Sequence, residues 1–147
     1  DEETHCSFDA TEIQENDVLL NITGASIGRS AVADSRIVGG NVNQHVCIIR
    51  VKAHELNPIL LNQFLISEYG QTQIDGFQAG GNRQGLNFAQ IRSFEIPIPP
   101  SELEQQRVAA CLSSLDIRIV GEVGKLKALT AHKKCLMQQL FPSLEEA

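Results

Sequence analysis

Apolar positions recur at helical spacing from residue 101 to residue 140, and no proline interrupts them. Ile119, Val123, Leu126, Thr130, Lys133, Met137 and Leu140 alternate steps of four and three, the period of a left-handed coiled coil. Val108, Cys111, Leu112 and Leu115 form a separate, earlier apolar face. Pro99 and Pro100 end any strand before them, because proline cannot donate to a sheet ladder. Ser101 and Glu104 then form the pattern of a capping box, which satisfies the first free amides of a helix. Ser113, Ser114 and Asp116, followed by Gly121 and Gly124, lower helix propensity. The pattern therefore predicts a helix over about 101–114, a break near 114–116, and a longer helix over about 116–140. Thr130 and Lys133 in the middle of the seam are expected to cost stability and set register.

Upstream the period changes. Strands are predicted over 18–22 and 30–33, joined by a glycine-bounded turn at 23–28. The apolar run at 45–51 predicts a strand buried on both faces. Asn57 followed by Pro58 marks a helix start running to about Tyr69, with Ile59, Leu60, Phe64 and Leu65 on its buried face. A short helix at 71–75, a polar glycine-rich loop at 78–85, a short turn at 88–93 capped by Asn87, and a last strand at 95–98 complete the domain. Strands and helices mix without βαβ alternation, so the fold class is α+β. The expected organisation is a small sheet-and-helix domain over 1–100 and a helical arm over 101–147.

The 147 residues, 42% of them hydrophobic, suffice for one modest core. No apolar run approaches the length of a membrane span, and no signal peptide is visible. The net charge of −6 disfavours a strongly basic nucleic-acid binder. It is unevenly spread, however. The first 17 residues hold seven acidic side chains and no Lys or Arg, whereas residues 18–100 hold six basic and five acidic ones, and the arm six of each. Cys6, Cys47, Cys111 and Cys135 lack the close spacing of a metal site, and Cys47 and Cys111 lie in apolar runs where cysteine acts as a small hydrophobe. Reduced thiols of this kind suit the cytoplasm.

Few residues invite chemistry. Gly24-Ala25-Ser26-Ile27-Gly28 matches the G-x-S-x-G of a hydrolase nucleophile elbow, which requires a strand-to-helix turn. Residues 29–33 read instead as a strand, so a serine hydrolase using Ser26 is a distant alternative and the glycines serve a tight turn. Arg29 at the turn's exit is placed to touch a DNA phosphate. Within the polar loop, Asn82, Arg83 and Gln84 are side-chain types that read base edges, and Gly80 and Gly81 allow close backbone approach to phosphate. His132, Lys133 and Lys134 oppose the dipole at the helix C-terminus. No catalytic residue, metal site or cofactor is assigned.

Several stretches taken together resemble one family. Asp17-Val18-Leu19-Leu20, Thr23 to Arg29, Asn43 to Arg50, and Gly80-Gly81-Asn82-Arg83-Gln84-Gly85-Leu86-Asn87 occur in the order found in the DNA-specificity (S) subunits of type I restriction–modification systems. Pro99-Pro100, Glu104-Gln105, the run from Val108 to Asp116, and Gln138-Gln139-Leu140-Phe141 continue that resemblance. It implies a non-catalytic subunit that reads one half of a bipartite site in double-stranded DNA. Methyltransferase (M) subunits would dock on it and motor-nuclease (R) subunits would join through the complex, with S-adenosylmethionine, ATP and Mg held only by those partners. The resemblance also implies that the chain begins inside its target-recognition domain. The near-neutral charge of residues 18–100 and of the arm predicts weak DNA binding by this chain alone, with partner subunits supplying most phosphate contacts. An S subunit usually carries two recognition domains held apart by antiparallel helices. One domain alone leaves the arm without an internal partner, so an antiparallel homodimer of arms is expected. A coiled-coil interaction scaffold without DNA readout is the competing reading.

Overall fold

The computed structural model describes residues 11–52, 54–78 and 85–141. The chain divides into two units, Asp1–Ala109 and Ala110–Ala147.

The first unit is built on an antiparallel sheet of β1 (Val18–Asn21), β2 (Ser30–Val32) and β3 (Val46–Ile49), in the order β2-β1-β3. Val18 pairs with Val32 and Ile49, and Leu20 with Ser30 and Cys47. The alternation along β1 buries Val18 and Leu20 completely, as the period-2 geometry of a strand requires. Helix α1 (Pro58–Ile66) adds Leu61 and Leu65 to that core, α2 (Glu68–Gln78) adds Ile74, and Leu86 closes it. Short α3 (Phe88–Arg92) carries a complete capping box between Asn87 and Gln90. The mixed α+β class follows, as the sequence indicates.

Several local expectations change. The strand predicted over 45–51 shortens to Val46–Ile49 and lies at the sheet edge, where only Cys47 is buried. Asn57 does cap α1, accepting the amide of Ile59 at 2.9 Å, but the helix ends at Ile66 rather than near Tyr69. Ser67 causes the stop. Its hydroxyl donates to Phe64 O at 2.7 Å, and the same oxygen accepts the amide of Gly70 at 3.2 Å, in the manner of an N-cap for the next helix. The chain turns so sharply that a Cβ on Gly70 would lie 2.1 Å from Phe64 O. Helix α2 is accordingly longer than the predicted 71–75 segment.

No strand forms at 95–98. The side-chain amide of Gln73 instead takes both backbone bonds of Glu95, donating to its carbonyl and accepting its amide, each at 3.0 Å. One glutamine thus replaces a strand partner.

Helix α4 (Glu102–Leu140) runs unbroken for 39 residues, so the two arm helices expected over 101–114 and 116–140 are one. Ser114 turns its hydroxyl back onto Cys111 O at 2.7 Å, satisfying it inside the helix. The propensity cost of serine or glycine, about 1 kcal/mol or less per residue, is too small to break a helix that proline does not interrupt. Cys111, on the earlier apolar face, is exposed.

The first turns of α4 are tied into the first unit by Gln105, whose side chain is buried at 4% exposure. Its oxygen accepts Asn57 N at 2.8 Å, while its amide donates to Pro99 O at 3.1 Å and Glu55 O at 3.2 Å.

Candidate nucleic-acid interface and helical arm

Antiparallel pairing brings the C-terminal end of β1 beside the N-terminal ends of β2 and β3. The loops attached there carry residues 22–29 and 43–45. A third stretch joins them, since Gly85 forms a bridge with Thr23 and Leu86 N donates to Ile22 O at 2.8 Å. Gly85 directly follows the polar loop, so that loop's exit is fixed at this end of the sheet. Gly80, Gly81, Asn82, Arg83 and Gln84 themselves lie outside the described residues.

The turn after β1 is a single 3-10 turn (Gly24–Ser26), with Gly24 and Gly28 at φ of 74° and 84°. Gly28 also has no room for a side chain, because an added Cβ would meet Oε1 of Gln71 at 2.8 Å. Gln71 Nε2 donates to Gly28 O at 3.0 Å and to Leu65 O at 2.6 Å, pinning the turn to the junction of α1 and α2. A strand follows the turn, not a helix. Ser26 therefore lacks the geometry of a nucleophile elbow. His45 pairs with Thr23 instead, Nδ1 to Oγ1, and its amide is held by Asn43 Oδ1 at 3.0 Å. Arg29 leaves the turn exposed, its carbonyl accepting Asn21 N at 2.9 Å.

Thr23, Asn43, Gln44 and His45 stand at the same sheet end without any sequence motif that marks them as candidates. The order of the strands, which only folding reveals, places them with Arg29. Residues 22–29, 43–45 and 78–85 contain no Asp or Glu, yet include Arg29, His45 and Arg83.

Acidic groups collect at the other end of the sheet. Asp17, whose side chain is 1% exposed, accepts Arg50 Nε at 2.7 Å, Arg50 Nη2 at 2.8 Å and the amide of Gln14 at 2.7 Å. Burial pushes this carboxyl up, but the hydrogen bonds from Arg50 and Gln14 and the guanidinium charge together hold it below the usual carboxylate value. Arg50 Nη2 also donates to Glu12 O at 3.2 Å. Asp34, exposed and bonded to Arg36, is held down to about 2.

In the second unit Ile119, Val123, Leu126, Thr130, Lys133, Met137 and Leu140 all lie exposed on α4. The Thr130 hydroxyl donates to Leu126 O at 2.7 Å within the helix. Leu115, Leu129 and Leu136, not assigned to the seam from sequence, are exposed as well. A reading in steps of three and four from Leu112 finds them.

Among the described residues no cluster of His, Cys, Asp and Glu is arranged to hold a metal ion, and no helix is long and apolar enough to cross a membrane.

A small α+β domain whose loops gather polar and basic side chains at one sheet end, continued by a long exposed helix, defines the class of fold. Residues 5–131 match the sequence model of the type I restriction modification DNA specificity domain. The chain belongs to that family. It is similar to a protein of Methanocaldococcus jannaschii provisionally named the type I restriction enzyme MjaX specificity subunit, with 27% identity over 118 residues. That alignment covers 78% of this chain and 27% of the relative, so the chain spans about a quarter of that protein's length. A solved chain from work on complex assembly and conformational transition of the type I R-M system shares the fold. Its TM-score is 0.66 at 23% identity, over 90% of this chain and 34% of that one.

Proposed function

We propose that this chain reads one half of a bipartite DNA site as part of the specificity subunit of a type I restriction–modification complex, without catalysing any step itself. Methyltransferase subunits dock on the assembly and carry S-adenosylmethionine; motor-nuclease subunits carry ATP and Mg. The work is done on cytoplasmic DNA.

The observation that carries this reading is the convergence of residues 22–29 and 43–45 at one end of the sheet, free of acidic residues, with Gly85, at the exit of the polar loop, bridged to Thr23 there. Arg29 and His45 supply phosphate contacts there, and Asn82, Arg83 and Gln84 supply base contacts, with Gly80 and Gly81 allowing close approach. Two basic loop residues and a histidine make a weak electrostatic footprint, so the partner subunits provide most of the phosphate neutralisation.

The arm sets distance. From Ile119 to Leu140 a helix rises roughly 32 Å at about 1.5 Å per residue, close to the roughly 34–36 Å of one turn of B-DNA. Two arms pairing antiparallel through Ile119, Val123, Leu126, Thr130, Lys133, Met137 and Leu140 space two recognition domains for a bipartite site.

The test is reconstitution with the cognate methyltransferase subunits, followed by sequencing of the methylated sites. The expected result is one bipartite motif, one half of which relaxes in Arg83→Ala. Absence of any sequence-dependent methylation would favour a scaffold without DNA readout.

A further inference from the structure

We infer that Gln71 is a positioning residue for DNA binding: its carboxamide fixes the Gly28–Arg29 peptide, and through it the direction in which the Arg29 side chain leaves the sheet end. This rests on the DNA reading proposed above and adds a residue that acts through another.

The four backbone groups of Gly28 and Arg29 are all hydrogen-bonded. Gly28 N donates to Asn21 O at 3.0 Å, Arg29 N donates to Ser26 O at 3.1 Å, and Arg29 O accepts Asn21 N at 2.9 Å. Those partners belong to the hairpin itself. The fourth group, Gly28 O, is held from outside it, by Gln71 Nε2 of α2 at 3.0 Å. Gln71 is anchored in turn, since the same nitrogen donates to Leu65 O at 2.6 Å and its backbone amide to Ser67 O at 2.9 Å. The residue after Arg29 is gripped in a similar way, Ser30 Oγ donating to Asn62 Oδ1 of α1 at 2.8 Å. Arg29 is thus left with a fixed backbone and an exposed side chain.

The glycine at 28 makes the grip necessary. The turn sets φ to 84° there, and three atoms of the Gln71 carboxamide lie within 3.3 Å of where a Cβ would stand. Glycine meets both demands, but it also has the widest choice of backbone conformations. Released from Gln71, the Gly28–Arg29 peptide keeps one hydrogen bond, from Arg29 N to Ser26 O, and gains freedom to rotate. A long side chain turns a small rotation of its backbone into a large displacement of its guanidinium, and the phosphate contact must then be ordered at the moment of binding. Gln73 on the same helix supplies a matched control. It also makes two side-chain bonds to backbone, both to Glu95 and neither to the turn.

The experiment is a double-mutant cycle between Gln71→Met and Arg29→Ala in the reconstituted complex, with Gln73→Met beside it. The readout is affinity for the duplex identified by methylation sequencing, over a range of salt. Methionine keeps length and helix propensity but has no N–H to donate. Arg29→Ala is expected to lower the salt slope by about one. Gln71→Met should weaken binding by about threefold or more and lower the slope in the same direction, yet cost less than about twofold once Arg29 is alanine. Gln73→Met should stay within about twofold of wild type with its slope unchanged. Losses that multiply in the double variant, a Gln71→Met complex that binds like wild type, or a Gln73→Met complex that loses as much would each overturn the inference. So would failure of both Gln71→Met and Gln71→Ala to fold while Gln73→Met folds, because Gln71 would then hold the fold rather than the turn. An Arg29→Ala complex with unchanged affinity and slope would overturn the phosphate contact beneath the inference, and a wild type without sequence-dependent binding would overturn the DNA reading itself.

Discussion

Gln105 offers the sharpest test of how the start of α4 is held within the first unit. Its carboxamide makes three hydrogen bonds, one from Asn57 N and two to the carbonyls of Pro99 and Glu55, and it makes them while buried. Gln105→Ala removes all three partners together. A hydrogen bond contributes about 1 kcal/mol net, and a buried group left unsatisfied costs about 1–3 kcal/mol, so the upper range of the loss is large. The adjoining cleft of about 180 Å³, lined by His54, Leu56, Asn57 and Glu102, lets water reach the freed groups and pulls the cost down. The expected loss is therefore about 3 kcal/mol, or on the order of 10–20 °C in Tm for a unit of this size. Urea unfolding followed by far-UV circular dichroism measures it. Gln105→Glu separates hydrogen bonding from packing. The carboxylate keeps the bond from Asn57 N but turns an acceptor towards two carbonyls, so it should be at least as unstable as the alanine variant at pH 7 and recover in part once protonated. A Gln105→Ala protein within about 0.5 kcal/mol of wild type, or a glutamate variant as stable as wild type, would refute the reasoning.

Other outcomes can be checked separately. Gly70→Ala drives a methyl into Phe64 O and should cost about 3 kcal/mol or prevent folding, whereas Gly76→Ala, where nothing lies within 4 Å, should be neutral or stabilising; thermal melts compare them. Asp17 has a folded pKa below its unfolded value of about 3.9, so its stabilisation is complete above that value and is lost as pH falls through the lower folded one. Melting temperatures from pH 7 to pH 2 should consequently show a flatter acid limb in Asp17→Asn, along with lower stability at pH 7. In the reconstituted complex Arg29→Ala should weaken binding uniformly across DNA sequences and reduce the salt slope by about one. Arg83→Ala should instead cost about 1–3 kcal/mol at one base position, read by competition binding on single-base variants of the site.

How much of this was legible in the sequence depends on the range of the interaction. The caps of Asn57 and Asn87, the glycine turn at 23–28, and the two-residue period of Val18 and Leu20 are local, and each stands where the pattern put it. The failures are tertiary. Gln73 satisfies the backbone of Glu95 from 22 residues away, turning an expected strand into an extended segment with no strand partner. Glu104-Gln105 drew notice as part of a family pattern, yet the role of Gln105 rests on partners 48 and 50 residues distant. The expected break in α4 overvalued propensity, since Ser114 finds its acceptor one turn back. At the candidate interface Arg29 was reachable from sequence; its company with Thr23, Asn43 and His45 required the strand order.

That order also bears on how the net charge of −6 fits the proposed DNA reading. β1 runs from Val18, directly after Asp17, to Asn21, shortly before the glycine turn, so its length separates the Asp17–Arg50 pair from the loops that carry Arg29 and His45. Asp17 is buried and already matched by a guanidinium, and Asp34 is matched by Arg36. A neutralised carboxylate at the far end projects little field on a phosphate approaching the near end, and screening at physiological salt, with a Debye length of about 8 Å, reduces it further. Net charge therefore misleads here. On the proposed reading, a duplex would meet the local sign of those loops, and they carry no acid.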